Sequence, residues 1–224
     1  MGRALRTDVA DYVYHVLNRA NGRAGLFAKK QDYQLFESIL EDAVDRVGIR
    51  LFAYTVMPNH WHLVLRPRKD GDLQKFMNWL TLTHTQRWHA RHGTTGYGHL
   101  YQGRYKSFLC EEDEHFLQLV RYVERNPLRA NLVDKADAWQ WGSVHRREHG
   151  SPGSKRILSE WPTPIPHNYI SFLNEPQTPA DLESIRVAIR RGNPHGSELW
   201  VQDTIKKFNL ETTIRPRGRP KTSS

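Results

Sequence analysis

The sequence predicts an α+β domain: a mostly antiparallel sheet with helices on one face. Three observations predict it. Apolar, β-branched runs of strand length alternate with longer segments whose apolar residues recur every three or four positions. Turn and stop signals, Gly48, Pro58-Asn59 and Gly93, separate these segments. A length of 224 residues suits one main domain with a core and appendages.

Element by element, VYHVLNR (13–19) has the β-branched and aromatic content of a strand, and NGRAG (21–25) reads as a loop. From Lys30 onward, Tyr33, Phe36, Ile39, Leu40, Ala43, Val44 and Val47 mark an amphipathic helix that Gly48 stops. IRLFAYTVM (49–57) and HWHLVLRP (60–67) follow as two apolar strands joined at Pro58-Asn59. Asp72 then caps a second helix, with Leu73, Phe76, Met77, Leu80, His84, Arg87, Trp88 and Arg91 on one side and Gly93 as its end. The glycine-rich TTGYGHLYQGRYKSFLC (94–110) runs from loop into strand. EEDEHFLQLVRYVERN (111–126) forms a third helix with its acidic residues at the favourable N-terminal end. Strand, helix, strand, strand, helix, strand, helix is the order of a ferredoxin-like or RRM-like sheet.

Beyond Trp141 the texture turns to Gly, Ser and Pro. The chain therefore divides into a main domain (8–146), a linker or surface excursion (147–178), a small helical extension (179–214) and a basic tail (215–224) expected to be disordered when unbound. Within the tail, PRGRP (216–220) has the form of an AT-hook core, able to lay Arg217 and Arg219 along a narrow A·T minor groove. The plainer reading is a tail that only adds counterion-release affinity.

A formal charge of +9 and a pI near 9.8 point first to nucleic acid and second to an anionic membrane surface. The single cysteine, Cys110, forbids an internal disulfide and any multi-cysteine zinc site, so metal ligands must be His, carboxylate or amide groups. No apolar run reaches bilayer-spanning length and no apolar block follows the start, which predicts a cytoplasmic protein without a membrane partner.

Within MPNHWHLVL (57–65), His60 and His62 project to one face of a strand and Trp61 to the other. Two neutral imidazoles so placed can hold a divalent cation. The spacing alone is weak, since 12 histidines among 224 residues supply about 0.6 such triplets by chance. The strand around them adds weight, because an apolar strand seldom carries two polar rings on one face without a partner. The plain alternative is a partly exposed pair bonded to water.

In the third helix Phe116, Leu119, Val120 and Val123 form the buried stripe. Tyr122 falls roughly 110° from its middle, on the polar flank with His115, Gln118 and Asn126. Asn126 lies one turn after Tyr122 and just ahead of Pro127, where it also suits the N-cap of a short helix. Between His84 and Lys106, rings such as Trp88, Tyr97, Tyr101 and Tyr105 interleave with Arg91, Arg104 and Lys106, a pattern suited to single-stranded nucleic acid.

YHVLNR, MPNHWHLVL, LYQGRYKSF and RYVERNPLRANLV, in this order and spacing, resemble the single-tyrosine HUH transposases of small insertion sequences, the IS200-like family, and especially their REP-associated tyrosine transposase branch. The resemblance covers about residues 8–146. It implies Tyr122 as nucleophile, His60 and His62 as metal ligands, and Asn126 as the polar residue that helps hold the metal, directly, through water or only as a cap. It implies Mg²⁺ or Mn²⁺, ions that leave open positions for phosphate oxygens and water, and no small-molecule cofactor. The partner it implies is single-stranded DNA with hairpins, cut and rejoined through a 5′-phosphotyrosine by a homodimer or a monomer. Arg19, Arg104, Lys106, Arg217 and Arg219 are the expected DNA contacts. The rival is a non-catalytic protein binding hairpin DNA or RNA on the same sheet.

Overall fold

The computed structural model describes residues 7–23, 25–96 and 98–215. The tail residues Arg217 and Arg219, and Tyr97, lie outside them. Strands β1 (Val13–Arg19), β2 (Arg50–Met57), β3 (His60–Arg66) and β4 (Lys106–Cys110) form one antiparallel sheet in the order β2-β3-β1-β4. That order is the expected ferredoxin-like one. β2 and β3 meet across the Pro58-Asn59 turn, and β1 lies between β3 and β4.

Helices α1 (Lys30–Val47), α2 (Asp72–His92) and α3 (Glu114–Glu124) connect or follow the strands. Gly48 and Gly93 close α1 and α2 in the left-handed conformation, with φ of 73° and 63°. Asp72, expected as a cap, is instead the first residue of α2. The capping position is Gly71, which has no side chain to offer, and Asp8 folds back to serve it. Its carboxylate accepts from Leu73 N at 3.1 Å and Gln74 N at 2.8 Å. A cap from a distant part of the chain leaves no local sequence signal.

Strand alternation splits the core in two. Tyr14, Val16, Tyr54, Val56, Trp61 and Leu63 face α1 and α2, the helix pair expected on one face. Val13, Ala53, Val64, Phe108 and Cys110 face the other way, against the Phe116-Leu119-Val120-Val123 stripe of α3. The sheet is thus covered on both sides, with α3 opposite α1 and α2.

The later chain adds α4 (Asn126–Arg129), α5 (Ser143–His149), α6 (Pro152–Lys155), α7 (Tyr169–Asn174), α8 (Pro179–Arg191), α9 (Glu198–Phe208) and α10 (Glu211–Ile214). Its backbone satisfies both open edges of the sheet. On β2, Val56 N donates to Trp141 O at 2.9 Å and Ser159 N to Leu51 O at 2.8 Å. On β4, His195 N donates to Leu109 O at 2.8 Å and Glu111 N to His195 O at 2.9 Å. Edges left open would invite pairing with another chain. Residues 147–178, expected as a linker or surface excursion, also place Trp161, Tyr169 and Leu173 in the core under α3. No helix among the described residues is long and apolar enough to cross a membrane.

One buried carboxylate ties these parts to α3. Glu124 accepts from Ser143 Oγ at 2.6 Å, Arg147 at 2.7 Å and Tyr169 Oη at 2.5 Å, so the C-terminal end of α3 is bonded to α5 and α7. Removing the carboxylate takes the counter-charge from the partly buried Arg147 guanidinium and the acceptor from the buried Tyr169 hydroxyl. Glu124→Ala is expected to destabilise the fold by roughly 3–5 kcal/mol, read as a shift of the urea midpoint; a change below about 1 kcal/mol would show that the network contributes no more than a surface pair.

Candidate active site

The β1–β3 register sets Arg19 opposite His60 and Leu17 opposite His62, and the β1–β4 register sets Lys106 opposite Leu17. Cross-strand partners share a face. His60, His62, His15, Arg19 and Lys106 therefore all stand on the side of the sheet that α3 covers, and all but His15 stand at its end nearest the β2–β3 turn. Tyr122 completes the group. Its ring lies edge-on to His62 with centroids 6.1 Å apart, while the His60 and His62 centroids are 5.0 Å apart. The ring is only 7% exposed, deeper than the polar flank expected for it, because α3 lies on the sheet and β3 covers that flank.

Pro127 offers no N–H to extend α3, and the helix is interrupted at Arg125. Arg125 nevertheless keeps helical angles, φ −86° and ψ −3°, so the chain carries on nearly in register into α4. Asn126 is the first residue of α4 and not its cap, which is Arg125. The Asn126 side chain is buried and makes no hydrogen bond with the described residues. Tyr122, Asn126 and Arg129, spaced by four and then three, share one side of this broken helix. The Arg129 guanidinium sits 4.2 Å from the centre of the Tyr122 ring and donates to the Tyr122 carbonyl at 3.4 Å.

Each histidine of the pair has one ring nitrogen already engaged. His60 Nδ1 meets Asn59 Oδ1 at 2.6 Å, and His62 Nδ1 meets Nε2 of the fully buried His15 at 2.8 Å. Neither Nε2 has a hydrogen-bond partner among the described residues. Burial holds His60 down to about 4, with Arg19 and Arg129 adding repulsion. Burial likewise holds His62 well below its ordinary value, helped by His60, His15 and the two arginines. Both rings are therefore neutral at neutral pH, with a lone pair to give. Two neutral imidazoles on one face, each with an open Nε2, fit a divalent cation.

Of the expected DNA contacts, Arg19 and Lys106 are exposed beside the histidines, and Arg104 is exposed in the loop ahead of β4. Several rings of the 84–106 segment serve the fold instead. His84 is fully buried with Nδ1 2.7 Å from Tyr101 Oη, Trp61 Nε1 donates to the same hydroxyl at 3.1 Å, and Trp88 Nε1 donates to Leu26 O at 2.8 Å. These bonds hold α2 against the sheet face opposite the candidate site.

Sequence reasoning missed His15, Asn59 and Arg129. The signals were present: His15 is a polar ring in an apolar strand, as His60 and His62 are, and Arg129 falls two turns after Tyr122. A separate trio, Glu111, Asp113 and His115, has ligand atoms within 4.8 Å of one another at the start of α3. Its carboxylates have structural work, Asp113 capping α3 through His115 N at 2.8 Å and Glu111 accepting from Ser197 N at 2.6 Å.

The sheet and its polar cluster define a ferredoxin-like α+β protein with a candidate site of two histidines, a tyrosine and arginines. The sequence matches the family described as "Transposase IS200 like" over residues 8–126, and the chain belongs to that family. Among solved structures it is similar to a REP-associated tyrosine transposase determined bound to a REP hairpin, with 17% identity, 71% of this chain and 92% of that one covered, and a TM-score of 0.57. A second, from Deinococcus radiodurans R1 and provisionally assigned as a transposase, shares 19% identity over 59% of this chain and 94% of that one, with a TM-score of 0.39 too low to carry an argument. No curated protein matches.

The buried histidines set an acid limit. Burial holds His15 and His84 at about 3, and His60 and His195 at about 4, against an ordinary 6.5. The unfolded chain therefore binds more protons than the folded one between these values. Stability from this source is complete above pH 6.5 and is lost as pH falls toward 3. Melting temperature should decline across that window at constant ionic strength; a flat profile would mean the rings are protonated or solvated in the fold.

Proposed function

We propose that the protein is a metal-dependent transposase that cuts and rejoins single-stranded DNA beside hairpins, with Tyr122 as nucleophile. The observation that carries this reading is the seating of Tyr122 against His62, at 6.1 Å between ring centroids, in a chain of the IS200-like family.

Phosphodiester cleavage needs a nucleophile, neutralisation of charge on the phosphate and a leaving oxygen in line with attack. The Tyr122 hydroxyl, which makes no hydrogen bond with the described residues, would attack the scissile phosphorus and give up its proton. The bond from phosphorus to the 3′ oxygen breaks, and that oxygen takes up a proton. The products are a 5′-phosphotyrosine and a free 3′-hydroxyl. Attack of such a hydroxyl on the phosphotyrosine reforms a phosphodiester and returns Tyr122 as phenol, so cutting and joining need no external energy source.

His60 and His62 would hold Mg²⁺ or Mn²⁺ through Nε2, with Asn126 as a third contact, and the ion would supply Lewis acidity to the scissile phosphate. Arg129 keeps the Tyr122 ring in place and brings positive charge beside the phosphate it would carry. Arg19 and Lys106, and Arg104 in the loop, offer cations to the strand backbone, and Arg217 and Arg219 would grip a hairpin stem. The hairpin as partner is supported by the REP hairpin in the structural relative.

Incubation with hairpin-bearing single-stranded DNA and Mn²⁺ should give a denaturant-resistant protein–DNA adduct. Tyr122→Phe should give none. A wild type without adduct, or an equal yield from Tyr122→Phe, overturns the assignment in favour of a binding protein. His60→Ala should lose cleavage by a factor of about 10² or more while keeping hairpin affinity; loss of both together would give the ring a structural or binding role only.

A further inference from the structure

We propose that His15 is a positioning residue for the cation site, fixing which nitrogen of His62 faces the cation. The proposal rests on the reading of His60 and His62 as metal ligands. His15 and His62 are diagonal neighbours on adjacent strands, His15 being paired with Val64, and their rings meet Nε2 to Nδ1 at 2.8 Å. Phe108 packs on the outer side of the His15 ring at 4.8 Å between centroids.

A neutral imidazole has one N–H and one lone pair. When His62 gives its Nε2 lone pair to a cation, its proton sits on Nδ1 and points at His15. His15 Nε2 must then accept, and the proton of His15 sits on its own Nδ1. With the proton on His15 Nε2 instead, His62 carries hydrogen on Nε2 and has no lone pair for a cation. Only one of the two polarities is compatible with metal, and the contact with His15 holds the ring in the plane that serves it.

His15 Nδ1 is buried with no hydrogen-bond partner among the described residues. Stability alone does not explain a polar ring with an orphan nitrogen in a spot where a second phenyl would pack against Phe108. The use made of its other nitrogen does. His60 repeats the pattern, its Nδ1 held by Asn59 at 2.6 Å and its Nε2 open. Two different side chains thus restrain the same atom in the two rings of the pair.

The test uses the full chain without DNA and reads Mn²⁺ affinity from the free-ion electron paramagnetic resonance signal. His15→Phe keeps an aromatic ring and removes the acceptor; it should weaken Mn²⁺ binding by about 10–100-fold, with the metal-free melting temperature held or raised. His15→Gln, whose carboxamide reaches the position of the lost Nε2, should recover most of the affinity. An affinity within about threefold of wild type in His15→Phe overturns the proposal, as does an equal loss in His15→Gln. In the wild-type protein loaded with Mg²⁺, nitrogen-15 NMR should show His62 protonated on Nδ1; protonation on Nε2 overturns the proposal whether or not the variants fold. A wild type that binds Mn²⁺ yet forms no DNA adduct would defeat the transposase reading and leave this one standing, whereas an adduct-forming wild type with no effect in His15→Phe would defeat this one alone.

Discussion

The register of β1 against β3 is the constraint on which the rest depends. With His15 opposite Val64 and Arg19 opposite His60, every polar side chain of the candidate site falls on one face and every large ring of the α1–α2 core on the other. Side chains alternate with a period of two, so a slip of one residue would exchange the faces. Trp61 would then meet α3, and the histidines would be pressed among Phe36, Phe76 and Leu80, away from His15. The penalty for burying polar rings among apolar side chains and the loss of the Trp61–Tyr101 bond act together, so the same packing that selects the fold places the histidines.

The match to the transposase family ends at Asn126, yet the surroundings of Tyr122 depend on chain well beyond it. Glu124 takes its bonds from Ser143, Arg147 and Tyr169, and Arg121 donates to the Glu175 carbonyl at 2.7 Å. These contacts fix the pitch of α3 on the sheet and hence the approach of the tyrosine to His62. The strand edges are closed by Trp141, Ser159 and His195, which keeps a small four-stranded sheet from offering a free ladder to a second copy. The segments after the matched region therefore complete the core and do not hang from it.

The strands and the first three helices were legible because each carries its own period and its own stop, as in the run from Tyr33 to Gly48. The pairing of His60 with His62 was legible through alternation, a purely local rule. What escaped is what depends on distant contact. Asp8 capping α2, α3 crossing to the far side of the sheet and Tyr101 bonding both Trp61 and His84 join residues whose neighbourhood in the chain says nothing of their neighbourhood in space. His15 lay between these cases: alternation gives its face, but only the register of β1 on β3 brings it to His62.

The electrostatics of the site have a single logic. Burial first, and the positive charges of Arg19 and Arg129 after it, press His60 and His62 toward the neutral form that a divalent cation would require. The same charges would attract phosphate, whose negative charge would offset their repulsion toward an ion. Among the described residues no Asp or Glu forms a ligand cluster with the two histidines. A cation held by two neutral imidazoles and the neutral amide of Asn126 would keep its full double charge for the phosphate oxygens, whereas a carboxylate in the set would spend part of it. Asn126, a buried amide one turn from Tyr122 with no side-chain hydrogen bond among the described residues, suits that requirement by being uncharged as much as by where it stands.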